Sequence, residues 1–100
     1  MKNYELIINC FAEDDLISSV KWYDEQREGL GIEFLSEVKR TIKRIEQNPE
    51  QFPKYKPQIR KAIVDRFPFT IFFYIEDEVV NVFAIYHFSR NPKIIDRRYN

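Results

Sequence analysis

Residues 69–87, Phe-Thr-Ile-Phe-Phe-Tyr-Ile-Glu-Asp-Glu-Val-Val-Asn-Val-Phe-Ala-Ile-Tyr-His, decide the fold. Two runs dense in aromatic and β-branched residues, Phe69 to Glu76 and Val79 to His87, flank an acidic pair, Asp77 and Glu78. That pattern predicts two antiparallel strands joined by a tight turn. In the first run Phe69, Ile71, Phe73 and Ile75 share one face and Phe72 and Tyr74 the other, so both faces need cover and the strand is central. Pro68 stands at the strand entry, where its missing donor breaks no ladder.

Working outward, Ile59 to Asp65 predicts a third strand beside these two. Before it Pro49, Pro53 and Pro57 hold a loop extended, with Phe52 and Tyr55 as anchors. Upstream the apolar period becomes helical. Phe34, Val38, Ile42 and Ile45 form a stripe on a helix from Ile32 to Gln47, widened by Leu35 and Thr41. Leu16, Val20 and Tyr23 mark another from Ala12 to Glu28, with Glu13, Asp14 and Asp15 at its positive end. Gly29-Leu30-Gly31 separates the two, so they form an antiparallel hairpin. Residues 4–11 read as a first strand, and residues 88–100 as an irregular basic tail. The expected fold is α+β, in the order β-α-α-β-β-β: an antiparallel sheet with an N-terminal helical hairpin on one face.

One hundred residues with 44% apolar letters and only two glycines suit one domain, residues 1–100, with its own core. No stretch can span a bilayer, since the longest apolar run, Phe67 to Ile75, is interrupted by Pro68 and Thr70. Met1-Lys2-Asn3-Tyr4-Glu5 lacks the character of a secretory leader. Cys10, the single cysteine, allows no internal disulfide and reads as a small buried hydrophobe, which makes a cytoplasmic location the expectation. One cysteine and one histidine build no zinc site, and two close glycines build no phosphate loop, so no metal or cofactor is implied.

Sixteen acidic residues balance sixteen basic ones, which excludes affinity for nucleic acid driven by bulk charge. The balance is local, however. Residues 54–66 carry five basic groups and one acidic, and residues 89–100 carry four and one, within an otherwise acidic chain. Both clusters can face one partner.

Several signatures now coincide: Trp22-Tyr23, Gly29-Leu30-Gly31 with Phe34-Leu35, Asn48-Pro49 through Phe52-Pro53, Arg60, Arg66-Phe67-Pro68-Phe69, and His87 with Arg90 and Pro92. In that order and spacing the chain resembles the toxins of type II toxin–antitoxin systems, on the ParE branch of the RelE/ParE superfamily. The resemblance implies a toxin neutralised by a cognate antitoxin. It implies DNA gyrase as the target, as for ParE-like toxins, or mRNA on the ribosome, as for RelE-like endonucleases.

Those two readings need different chemistry. RNA cleavage requires groups to take and give protons and cations to stabilise the phosphorane. RNA-cutting relatives carry an arginine inside the central strand, and Thr70 stands at that position here. His87 is the one side chain ordinarily titrating near neutrality, so His87 with Arg90 is the candidate catalytic pair of a ribonuclease. Its plain alternative is a hydrogen-bonded histidine at a strand end. Arg60 and Arg66 either share the edge of a groove with His87 and Arg90, where antitoxin carboxylates would bind, or only solubilise an outer strand. Trp22, beside the core residue Tyr23, points elsewhere and is either an antitoxin anchor or packed on the second helix. The sequence favours a binding toxin that performs no catalysis.

Overall fold

The computed structural model describes residues 4–99. Met1 to Asn3, on which the leader reading depends, and the last residue of the tail, Asn100, lie outside the described residues. The elements are β1 (Glu5–Ile8), α1 (Cys10–Gln26), α2 (Leu30–Gln47), β2 (Lys54–Lys56), β3 (Ile59–Ile63), β4 (Phe69–Glu76), β5 (Val79–His87) and α3 (Lys93–Tyr99), with one 3₁₀ turn at Pro49–Gln51. The helix and strand order is the expected one, with a three-residue strand added in the proline loop and a short helix in the tail. Pro92 explains the second addition: it precedes the first turn of α3, where a missing N–H costs nothing.

The sheet runs β1-β5-β4-β3-β2. Its β5-β4-β3-β2 part is antiparallel, but β1 lies parallel to β5, pairing Glu5 with Val79 and Ile8 with Val82, so the whole sheet is mixed. Parallel neighbours need a long connection, and the helical hairpin with the three following strands supplies it. β1 stops at Ile8 because the Asn9 side chain accepts the Ala12 N–H at 3.0 Å and caps α1. That cap starts the helix at Cys10 and turns its thiol outward. The expectation of a buried Cys10 is thereby corrected: it is exposed.

The helical hairpin covers one face of the sheet. Ala12, Tyr23, Phe34, Val38 and Ile45 pack against Ala62, Val64, Phe69, Ile71, Phe73, Val80, Val82 and Ile85. The opposite face carries a second cluster, where Ile59, Phe72, Phe83, Ala84 and Tyr86 meet Ile95 of α3. A bulge in β5 makes this possible. Phe72 pairs with Ala84 and Phe73 with Val82, so Phe83 is the extra residue and lies with Ala84 on the same face. α3 is short and covers only part of that face, leaving a hollow beside it.

Candidate docking surface on the open face of the sheet

Alternation along β3 and β4 builds the floor. In register, Lys61 faces Phe72 and Ile63 faces Thr70, while across the next ladder Phe72 faces Ala84 and Thr70 faces Tyr86. These side chains point away from the helical hairpin. The β5–α3 connection then folds over the end of the sheet and adds Phe88, Arg90 and Pro92, enclosing a cavity of about 290 Å³. His87 and Thr70 also line it.

His87 is held by its own turn. Its Nδ1 accepts the Ser89 N–H at 3.0 Å and lies 2.8 Å from Ser89 Oγ, and its ring stands edge-on to Phe69 at 5.2 Å. The N–H bond fixes Nδ1 as an acceptor, so the neutral ring carries its proton on Nε2. A second cavity, also of about 290 Å³, lies on the other side of this histidine between α1 and the sheet, lined by Ser18, Trp22, Phe69 and Ser89 among others. Trp22 is 56% exposed there, and Tyr23 beside it is buried, as their adjacent helical positions require.

The structure divides the four cations expected to share a groove. Arg90 lies over the Tyr86 ring with its guanidinium carbon 4.1 Å from the centroid, at the rim of the hollow. Arg60 projects to the hairpin side, donating to the carbonyls of Phe52 at 2.7 Å and Glu50 at 3.2 Å. Arg66, in the left-handed region with φ 70°, reaches Glu33 at 3.0 Å and Glu37 at 3.8 Å on α2. Neither Arg60 nor Arg66 lines the hollow; Lys61, one residue from Arg60 and therefore on the opposite face, does.

Two residues absent from the sequence candidates organise this end of the molecule. The buried Asp15 of α1 accepts the Ile85 N–H at 3.0 Å and holds Arg98 of α3 through both carboxylate oxygens. The paired carboxylate raises the Arg98 pKa further, against the opposing effect of burial. The same guanidinium lies 5.2 Å from the Tyr86 ring and 5.3 Å from Phe11. Asp15 thus fixes α3, whose Ile95 forms a wall of the hollow. Acidic residues opening a helix were visible in the sequence, but nothing local singles out Asp15 from Asp14 as the partner of a tail arginine.

Among the described residues no group of three or more His, Cys, Asp or Glu side chains is placed to hold a metal ion, and no helix is long and apolar enough to cross a membrane. The arrangement offers two cations, a histidine and a hydroxyl around an aromatic floor, which is the chemistry of a surface that binds.

Comparison with known proteins agrees with this geometry. A chain from a solved structure of the chromosomal ParDE TA system from P. aeruginosa has the same fold, with a TM-score of 0.77 at 18% identity, covering 85% of this chain and 96% of that one. No curated protein matches the sequence. The family described as the ParE toxin of type II toxin–antitoxin system, parDE, matches residues 9–92, from the Asn9 helix cap to the Pro92 that precedes α3. The chain therefore belongs to the ParE toxin family, a toxin whose partner is a cognate antitoxin.

Proposed function

We propose that the free toxin inhibits DNA gyrase by binding it and does not cleave RNA. What carries this reading is the make-up of the open-face hollow. Thr70, only 6% exposed, lines it at the central-strand position where RNA-cutting relatives of the superfamily carry an arginine. His87, the candidate general base, spends Nδ1 on Ser89 and in its neutral form has only a donor left at Nε2. A base must have a free acceptor within reach of the proton it removes. A surface of this kind supports association with a protein better than in-line attack on a phosphodiester.

The test measures both activities on the antitoxin-free protein. Purified gyrase should lose supercoiling activity in its presence, while mRNA on translating ribosomes stays intact. Cut message with normal supercoiling would overturn the reading, and loss of that cleavage in His87→Ala and Arg90→Ala would then assign the catalytic pair.

A further inference from the structure

We propose that β1 is the docking edge for a second copy of this chain. The two copies join as an antiparallel β1–β1 pair about a two-fold axis at Ile7, which fuses their five-stranded sheets into one. This contact needs neither antitoxin nor gyrase. It lies beside residues 79–82 of β5, whereas the hollow uses Tyr86 and His87 at the other end of that strand.

The two edges of the sheet are built differently. β2 is three residues long, with Lys54 and Lys56 exposed, Pro53 before it, Pro57 after it and a break in its register with β3. Shortness, lysine, proline and irregular register are the devices by which an edge strand refuses company. β1 has none of them: Glu5-Leu6-Ile7-Ile8 follows β5 in unbroken register. The Glu5 N–H donates to the Glu78 carbonyl at 3.2 Å and the Asn9 N–H to the Val82 carbonyl at 2.9 Å, so Glu5, Ile7 and Asn9 turn their backbone groups toward β5. Leu6 and Ile8 alternate with them and turn N–H and C=O outward, where β1 ends the sheet.

The side chains of β1 select both occupant and register. With the axis at Ile7, Leu6 of each copy stands across from Ile8 of the other, and the outward backbone groups satisfy one another. Leu6 and Ile8, already packed against the main core, then meet on the hairpin side. Ile7, 50% exposed on the other side, is covered by its own counterpart in the closer, non-hydrogen-bonded kind of pair. Glu5 falls opposite Asn9 of the second copy, the cap at the positive end of α1, where a carboxylate is favoured. Moving the axis to Leu6 would set Glu5 against Ile7, and moving it to Ile8 would set Ile7 against Asn9. Only the Ile7 register matches apolar with apolar and polar with polar, the self-complementarity that a closed two-fold contact demands.

The test is sedimentation velocity of the antitoxin-free full chain from about 1 to 500 μM, a range set by the weak association expected of so short an edge. Wild type should pass reversibly from monomer to dimer. Ile7→Lys, which brings two like charges face to face, should raise the dissociation constant at least about tenfold without moving the thermal melt of the monomer. In a Cys10→Ser background, Ile7→Cys should form a disulfide-linked dimer on mild oxidation. Glu5→Cys should not, because its counterpart is displaced four positions along the paired strands. A monomeric wild type over the whole range overturns the assignment, as does undiminished dimerisation of folded Ile7→Lys or equal cross-linking through Glu5→Cys. A monomeric wild type whose affinity for co-expressed antitoxin falls in Ile7→Lys would give the edge to an extended antitoxin segment instead. None of these results bears on supercoiling inhibition, so the two readings fail separately.

Discussion

Asp15 and Arg98, 83 positions apart in the chain, form a two-pronged ion pair at 2.5 and 2.9 Å that joins the first helix to the last. With the Ile85 N–H on the same carboxylate, α1, β5 and α3 meet at one side chain. Both partners are largely withdrawn from water, with 6% and 14% of their side-chain surface exposed. Removing one partner from such a pair leaves an uncompensated buried charge. Arg98→Ala is therefore expected to cost about 3 kcal/mol, and Asp15→Asn less, since the amide oxygen can still accept from Ile85. Urea unfolding of both singles and of the double variant measures the coupling. Additive losses would show that the two side chains do not act together.

Gly31 predicts a steric effect. A Cβ at this position would lie 2.5 Å from the Val20 carbonyl oxygen and 2.8 Å from the Asp24 carboxylate, which accepts the Gly31 N–H at 2.8 Å. The backbone of α1 cannot withdraw without opening the hairpin. Gly31→Ala should destabilise by about 2 kcal/mol through overpacking. Gly29→Ala meets open space but a φ of +88°, and should cost about 1 kcal/mol from backbone strain alone. Thermal denaturation distinguishes them from wild type, and equal stability of Gly31→Ala would contradict the close approach.

The β4–β5 turn predicts a gain. Asp77 and Glu78 both occupy the left-handed region, at φ 51° and 63°, as a two-residue hairpin turn of the mirrored type demands. Asn-Gly fits that geometry with less strain. Asp77→Asn with Glu78→Gly should stabilise by about 0.5–1 kcal/mol, the relieved strain outweighing the added freedom of the unfolded chain. A fall in the urea midpoint would contradict this.

Glu33 predicts a dependence on pH. Hydrogen bonds from Arg66 and then Arg27 hold its carboxyl below the ordinary 4.5. A lowered folded-state pKa gives stability that is complete above 4.5 and is lost as pH falls through the folded value. The difference in melting temperature between wild type and Glu33→Gln should be small and constant near neutrality, then shrink below pH 4.5. A gap that persists undiminished into strong acid would show that charge is not its origin.

Much of the scaffold was legible because its signals are local. The spans of β4 and β5, the turn at Asp77 and Glu78, and the buried stripe of α2 follow from periodicity. Alternation also separated Lys61 from Arg60, but it could not say which face of β3 the helices would cover. Hence the expected groove holds Arg60 with His87 and Arg90 and omits Lys61, which lines the hollow. The parallel partnership of β1 with β5, the bulge at Phe83 and the pairing of Asp15 with Arg98 depend on contacts more than 60 residues distant or on ladder detail, and leave no periodic trace. β2 is three residues long, Lys-Tyr-Lys, too short for a pattern, and α3 hides behind a proline in a charged stretch.

The position of β1 at the outer flank of β5 also governs when a newly made molecule can finish folding. Glu5 waits for Val79, and Asp15 for Arg98, so the earliest part of the polypeptide is paired only after nearly all the rest has been synthesised. A growing chain halted before β5 has no completed sheet and no hollow beside α3.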